Sequence, residues 1–327
     1  MSDTKLYTRR RLLAAASATA LAGCTSGDGN GTTTTGTGST PTTTERQTTT
    51  TTTTTTTRPE TPTRTVEDGV EKIRDVSFRE TPQGTLELDL YLPTEGSDHP
   101  FFVFAHGGAW VLGDKGERPM FDDLATNGYT VADIQYRLAH DEARQYPVPV
   151  RDVTAAVKWT KATASEYGID ASTGALAGYS AGAHLAALVG LAPDHETFQP
   201  VDFHPDISAS VDAIVGYSGP YDFTEAGTGE NSLVEGFFGE NVSDETLAEG
   251  SPVTHVDAGD PPALLLHGTE DATVPYRSTT VLADAFRDAS VPVEVFTGEG
   301  AGHGMINDES FRAELHTTQR QFLDDRL

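Results

Sequence analysis

Eight short apolar runs, separated by stretches with helical periodicity such as Val150–Tyr167, constrain the fold of this 327-residue chain more than any other feature. The first two runs, Ile73–Phe78 and Leu86–Leu92, alternate apolar and polar residues, which is typical of antiparallel edge strands. The later runs are almost continuously apolar, as strands of a parallel sheet covered on both faces are. They lie at Phe101–Ala105, Tyr129–Ile134, Ala175–Tyr179, Ala213–Tyr217, Ala263–His267 and Val291–Phe296. The pattern predicts an α/β fold with a mostly parallel, eight-stranded, doubly wound sheet.

The N-terminal residues have the features of an export signal. Arg9–Arg11 precede an apolar run that is too short to span a bilayer, which predicts a signal peptide over residues 1–24. The arginines resemble a twin-arginine signal, and an ordinary secretion signal is the alternative. Cys24, the only cysteine of the chain, follows small residues at a lipobox-like position. We therefore expect Cys24 to be lipidated and to anchor the protein in a membrane.

Residues 25–66 consist mainly of threonine, with scattered glycine, serine and proline. Such a segment has little apolar surface to bury, so we expect a disordered linker of the kind that forms O-glycosylated stalks. Residues 67–327 are then left to form one compact domain. Together with the export signal, this organisation predicts a domain on the extracellular face, held at the membrane by its N-terminus.

The charge of the chain is strongly negative. It carries 49 acidic and 22 basic residues, with a formal net charge of −27. Nucleic-acid binding requires the opposite sign, so we expect no nucleic-acid partner. Acid-rich surfaces of this kind resemble those of proteins from salt-saturated environments, where counterions screen the repulsion between carboxylates. The composition therefore favours a halophilic protein.

The segment Gly178–Gly182, with the sequence Gly-Tyr-Ser-Ala-Gly, follows an apolar run and leads into a stretch of good helix formers. A G-x-S-x-G sequence in a strand–turn–helix context presents its serine at a sharp turn, where the hydroxyl is exposed to a substrate. The two glycines let strand and helix approach closely. Ser180 is therefore the candidate nucleophile.

A nucleophilic serine needs a base, and that base needs a carboxylate to orient it. His303 lies between glycines after the last predicted strand, and Asp271 follows the seventh. The carboxyl ends of parallel strands meet at one edge of a sheet, so Ser180, Asp271 and His303 are expected to converge there. Glu270 and Asp222 are the alternatives for the acid. The set predicts acyl transfer through a covalent acyl-enzyme.

The loop His106–Trp110 follows the third predicted strand and contains two adjacent glycines. Such a loop can turn its backbone N–H groups toward a developing oxyanion. We assign these donors to Gly108 and Ala109, with Gly107 as an alternative. The N–H of Ala181, directly after the candidate nucleophile, is expected to complete the oxyanion hole.

Six segments carry a family resemblance: HGGAWVLGDK (106–115), YRLA (136–139), GYSAGAHLAAL (178–188), SGPYDF (218–223), SPVTH (251–255) and HGTEDATVP (267–275). From about residue 70 to residue 327 the chain resembles α/β-hydrolases of the esterase/lipase group with a His-Gly-Gly loop. The segments match the style of feruloyl-esterase-like and related carboxylesterases, and they are also similar to arylformamidases. Ala109 occupies the position at which many relatives have a third glycine.

This resemblance implies a serine esterase of the α/β-hydrolase fold that uses no metal or organic cofactor. An arylformamidase-like amide hydrolase, a serine peptidase and an inactive surface binding module on the same fold are the alternatives. The implied partner is a small-molecule or polysaccharide-linked ester.

The segment Thr224–Gly250 is predicted to cap the substrate pocket. Trp110, Phe237 and Phe238 are candidates for its lining, and burial of the segment's aromatic side chains in the core is the alternative.

Overall fold

The computed structural model describes residues 62–225 and 232–327. The predicted signal peptide, the lipidation site Cys24 and the predicted linker as far as residue 61 lie outside the described residues. Within the described ranges, no helix combines the length and the apolar character that crossing a bilayer requires.

The described residues form a nine-stranded sheet with the order β1-β2-β3-β5-β4-β6-β7-β8-β9. The strands are β1 (Thr63–Glu67), β2 (Val70–Thr81), β3 (Gly84–Pro93), β4 (His99–Ala105), β5 (Thr130–Ile134), β6 (Ile169–Tyr179), β7 (Ala213–Tyr217), β8 (Ala263–Gly268) and β9 (Val293–Gly298). Strands β1 to β3 pair antiparallel, and β3 joins β5 antiparallel. From β5 to β9 every pairing is parallel. The predicted mostly parallel α/β sheet is therefore confirmed.

The predicted number of strands is wrong, because the apolar runs predict eight and the described sheet has nine. The additional strand, β1, lies in residues assigned to the disordered linker and pairs with β2 from Thr63↔Arg74 to Glu67↔Val70. All five of its residues are exposed, so it has no apolar alternation by which the pattern could have revealed it. It is held by backbone pairing at the sheet edge. The folded domain therefore begins before the predicted boundary at residue 67.

Helices cover both faces of the sheet, as in a doubly wound fold. They are α1 (Pro119–Thr126), α2 (Val148–Ala162), α3 (Ala164–Tyr167), α4 (Ala181–Leu191), α5 (Ser232–Phe238), α6 (Asp244–Glu249), α7 (Arg277–Asp288) and α8 (Glu309–Arg326). The helix predicted over Val150–Tyr167 is present as α2 and α3, which meet at Thr163.

The core consists of two layers separated by the sheet. Along β4, Phe101 and Val103 belong to the layer under α2, α4 and α7, and Phe102 and Phe104 belong to the layer under α1 and α8. All four side chains are fully buried. This two-sided burial explains why the central strands are continuous apolar runs. The parallel pairing of these strands places the carboxyl ends of β4, β6, β8 and β9 along one edge of the sheet.

Candidate active site

Ser180 occupies the turn between β6 and α4, with φ 53° and ψ −117°. Such a backbone is unfavourable for a residue with a side chain and is maintained by the surrounding structure. A Cβ on Gly178 would lie 2.3 Å from the carbonyl oxygen of Gly182, and one on Gly182 would lie 2.0 Å from that of Ala105. Both positions therefore require glycine. The G-x-S-x-G sequence is explained by this close approach of strand, helix and serine turn.

The three side chains predicted to converge do meet at the carboxyl edge of the sheet. Nε2 of His303 lies 2.9 Å from Oγ of Ser180, and Nδ1 of His303 lies 2.7 Å from Oδ2 of Asp271. In this geometry the serine hydroxyl donates to Nε2, while Nδ1–H donates to the carboxylate. The arrangement has the donor and acceptor sequence that a general base acting on serine requires.

Asp271 is buried and accepts several hydrogen bonds. Burial opposes its ionisation, but the bonds from His303 and from the amides of Val274 and Thr273 outweigh that effect and hold its pKa below the usual range. His267 contacts the same carboxylate oxygen as His303, with Nε2 3.0 Å from Oδ2 of Asp271. Burial lowers the pKa of His267, so its neutral ring donates to the carboxylate without bringing a charge.

Among the described residues, neither alternative acid forms a hydrogen bond or an ion pair with His303. Glu270 is exposed, and its backbone N–H donates to the carbonyl of Ala301. Asp222 lines the cavity above Ser180, and its Oδ1 accepts hydrogen bonds from Thr224. Among the described residues, Asp271 is therefore the carboxylate joined to the imidazole.

The His106–Trp110 loop has a tightly folded backbone. Gly108, Ala109 and Trp110 all have positive φ, at 128°, 51° and 62°. The carbonyl of Gly108 accepts from the N–H groups of Val111 and Leu112. A Cβ on Gly108 would lie 2.0 Å from the carbonyl oxygen of Leu112, so this position also requires glycine.

The three residues assigned as oxyanion donors, Gly108, Ala109 and Ala181, line the same cavity as Ser180. Within the described part of the chain, none of their backbone N–H groups donates to a protein acceptor. For Ala181 the reason is its place at the start of α4, where N–H groups lack intrahelical partners. These N–H groups are thus available to a ligand.

The cavity above Ser180 has a volume of about 600 Å³, which is in the range of small-molecule sites. Its wall comes from the loop after β4, the segment after β7, the start of α5, and the β8–α7 segment. Trp110 is part of this wall, as predicted.

The prediction that Phe237 and Phe238 line the cavity is wrong, because neither side chain is part of its wall. Helix α5 presents Leu233 and Val234 to it instead. Phe237 is fully buried and stacks on the far side of Trp110, with ring centroids 4.6 Å apart, and Phe238 packs against Phe237. The two rings therefore support the cavity wall from within the core.

His184 connects three parts of the site. Its Nδ1 accepts the indole N–H of Trp110 at 3.1 Å, and its Nε2–H donates to the carbonyl of Gly250 at 2.8 Å. Complete burial lowers its pKa to about 4, so the ring remains neutral and keeps one donor and one acceptor. His184 thereby ties the cavity wall to α4 and to the end of α6.

Two tyrosines that the sequence analysis did not assign to the site hold its loops. The hydroxyl of Tyr136 donates to the carbonyl of His106 at 2.9 Å, and that of Tyr179 donates to the carbonyl of His303 at 3.0 Å. Burial raises the pKa of Tyr179 to about 12, so its hydroxyl keeps the donated proton. The position of Tyr179 directly before the candidate nucleophile could have indicated a role in the site. Its partner His303, however, lies far away in the sequence.

Comparisons with known proteins place this chain in a family. The BD-FAE family model matches residues 88–286. Esterase LipC and the probable carboxylic ester hydrolase LipM, both of Mycobacterium tuberculosis, are 31% and 32% identical over 223 and 235 residues. Each match covers 65% of this chain and 54% of the relative. The chain thus spans about half the length of the curated relatives it matches.

Solved structures have the same fold. A truncated carbohydrate esterase from gut microbiota superposes with a TM-score of 0.71 at 22% identity, covering 80% of this chain and 99% of that one. A butyrate-bound esterase from Thermogutta terrifontis, Est2, gives 0.68 at 26% identity, covering 79% and 94%. With the family match over residues 88–286, we conclude that the chain belongs to the BD-FAE family of feruloyl-esterase-like α/β-hydrolases.

Proposed function

We propose that this protein hydrolyses carboxylic esters through an acyl-enzyme on Ser180. The observation that carries the proposal is the 2.9 Å contact between Nε2 of His303 and Oγ of Ser180, with Asp271 on the opposite ring nitrogen. The esterase names of the relatives support the same reaction class.

In the proposed mechanism, Oγ of Ser180 attacks the ester carbonyl while His303 takes its proton. The N–H groups of Gly108, Ala109 and Ala181 stabilise the oxyanion, at about 3 kcal/mol for each donor. His303 then protonates the departing alcohol. Water attacks the acyl-enzyme with His303 as the base, which releases the acid and restores Ser180.

Asp271 keeps His303 in the tautomer whose Nε2 accepts the serine proton, and it stabilises the imidazolium that forms. Its lowered pKa means that the carboxylate stays ionised at mildly acidic pH. His267 and the amides of Thr273 and Val274 fix its oxygens.

The test compares Ser180→Ala with Ser208→Ala, which changes an exposed serine outside the cavity. Hydrolysis of p-nitrophenyl butyrate and labelling by a fluorophosphonate probe are measured in both. We expect Ser180→Ala to lose at least about a thousandfold in kcat and all labelling, because the nucleophile is gone. Ser208→Ala should match the wild type. Undiminished turnover in folded Ser180→Ala would overturn the mechanism, and an inert wild type would favour a binding module.

We also propose that the protein is an exported lipoprotein, held at the extracellular face through Cys24 and a stalk that begins at residue 25. The basic start, the short apolar run and the single cysteine support this proposal. Replacing Cys24 with serine should move the protein from the membrane fraction to the soluble fraction of the producing cells.

The net charge of −27 supports a further proposal, that the domain is adapted to high salt. Thermal unfolding in dilute buffer and in molar salt checks it. Equal stability in both would count against halophilic adaptation.

A further inference from the structure

The cavity wall is mostly apolar, and its few charged groups are mainly negative. The wall includes Trp110, Leu112, Phe223, Val274, Pro275 and Val281. The charged side chains along it are Asp222, Glu225 and Arg277, with the ionised Asp271 behind His303. Two carboxylates and one guanidinium thus line the cavity among the described residues, and a third carboxylate lies behind His303.

The single guanidinium is already paired. Arg277 forms an ion pair with Glu225 at the mouth of the cavity. Asp222 has no such compensation, since its Oδ1 accepts the N–H and the hydroxyl of Thr224, and no cation among the described residues forms an ion pair with it. The charge of Asp222 is therefore not neutralised by the cavity wall.

The residues that directly follow Glu225 in the sequence carry no positive charge that could compensate the negative charge of the cavity. Residues 226–231 are Ala-Gly-Thr-Gly-Glu-Asn, which include one acid and no Lys, Arg or His. The chain as a whole adds a net charge of −27. Near and distant charges therefore act on an incoming anion in the same direction.

We propose that the site selects uncharged esters with apolar groups, and that Asp222 is a specificity-determining residue that disfavours substrates carrying a carboxylate. This inference rests on the proposed esterase function. In a partly enclosed cavity, a like charge about 8 Å from Asp222 lowers the occupancy of the site by roughly thirtyfold at an effective dielectric constant of about 20.

The experiment uses two butyrate esters of the same shape and different charge, 4-carbamoylphenyl butyrate and 4-carboxyphenyl butyrate. The carboxylate sits para to the ester oxygen, so it cannot attack the ester intramolecularly. Release of each phenol gives kcat/KM. We expect the wild type to prefer the neutral ester by at least about tenfold at low salt, and added NaCl to reduce this preference by screening.

Asp222→Asn keeps an oxygen for the bonds from Thr224 and removes the charge. We expect the preference to fall below about threefold in this variant, because the nearest repulsion is lost. Asp206→Asn is the matched control, since it makes the same change of net charge at an exposed residue outside the cavity. It should retain the wild-type preference. An equal loss of preference in both variants would overturn the role of Asp222.

Arg277→Gln tests the opposite possibility, that the guanidinium leaves Glu225 and binds the substrate carboxylate. Our proposal predicts a larger preference for the neutral ester in this variant, because Glu225 becomes uncompensated. A wild type that prefers the anionic ester, together with loss of that preference in Arg277→Gln, would overturn the proposal.

The outcomes separate this inference from the esterase function. If both esters are cleaved equally by the wild type at low salt, the charge selection fails and the esterase function stands. If neither these esters nor p-nitrophenyl butyrate is cleaved, the esterase function fails. Thermal unfolding of each variant verifies its fold. Should Asp222→Asn not fold, the wild-type preference, its salt dependence and the Arg277→Gln result decide the question.

Discussion

Two loops at the carboxyl edge of the sheet each place a histidine next to glycine, and the two histidines have opposite surroundings. In the first loop (residues 106–113), His106 is buried, stacks on Tyr136 at 4.3 Å and donates from Nδ1 to the carbonyl of Gly107. Burial lowers its pKa, so its ring remains neutral. In the second loop (residues 299–305), the side chain of His303 is 20% exposed and faces Ser180.

The glycines of the two loops serve different purposes. In the first loop, a Cβ on Gly113 would lie 2.4 Å from the carbonyl oxygen of Gly107. In the second, a Cβ on Gly304 would meet no atom within 4 Å, and one on Gly302 would meet only an oxygen at 3.9 Å. Glycine therefore permits close packing in the first loop and leaves open space around the histidine in the second.

The difference shows how one local sequence pattern supports two roles. In the proposed mechanism, the first loop must keep its N–H groups fixed where the oxyanion forms, and packing of its glycines against backbone serves this purpose. In the proposed mechanism, His303 of the second loop accepts and returns a proton, so its side chain needs room on the solvent side and one well-placed anchor.

In the comparison of the two loops, the largest effect on kcat is expected from adding one methyl group to a glycine of the first loop, and the same change in the second loop should have little effect. Gly108→Ala should lower kcat on p-nitrophenyl butyrate by about 10² or more, because Cβ collides with the carbonyl of Leu112 and displaces an oxyanion donor. Gly304→Ala should change kcat by less than about threefold, because its φ of −80° and open surroundings accept a side chain. Steady-state kinetics, with circular dichroism as a check of folding, measure both. Similar losses in the two variants would remove the distinction between the loops.

A smaller effect is expected from the anchor of the second loop. Tyr179→Phe removes the hydrogen bond to the carbonyl of His303, and we expect kcat to fall by about tenfold while KM stays within about twofold, because the base is less well positioned. Tyr129→Phe is the matched control, since its hydroxyl bonds Asp324 outside the site. If the variant of Tyr179 raised KM and left kcat unchanged, Tyr179 would act on substrate binding and not on the base.

The smallest effect concerns the segment after the first loop, where the N–H of Gly116 donates to the buried Asp133. Burial raises the pKa of Asp133 to about 7. The folded state then binds this proton more tightly than the unfolded state, so the contribution of Asp133 to stability falls as pH rises from about 4 to about 7 and is constant above.

Asp133→Asn should remove this loss while keeping an acceptor for Gly116. We expect the thermal unfolding temperature of the variant, relative to that of the wild type, to rise across the same pH window and then level off. Unfolding scans at pH 5, 6, 7 and 8 measure it. A difference between variant and wild type that does not vary with pH would refute the assigned titration.

The sequence was sufficient for the features that depend on local pattern. Continuous apolar runs located the central strands because those strands are buried on both faces. The strand-end positions of Ser180, Asp271 and His303 then followed from parallel topology. The exposed strand β1 was not predicted, because an edge strand held by backbone pairing needs no alternation of apolar and polar residues.

Other features depend on packing between distant segments, which no local pattern records. Phe237 looked suitable for a pocket, but the helical phase of α5 turns it behind Trp110. The bond from Tyr179 to His303 joins residues 124 positions apart and exists only because the chain folds β6 and the last loop to the same edge.

The placement of Tyr179 directly before Ser180 has a mechanical consequence. Tyr179, which anchors His303, is the last residue of β6, and Ser180 follows it directly, so a displacement of that strand carries both residues together. We therefore expect the distance between Oγ of Ser180 and Nε2 of His303 to change little when β6 moves, even though the glycines of the second loop have open space around them.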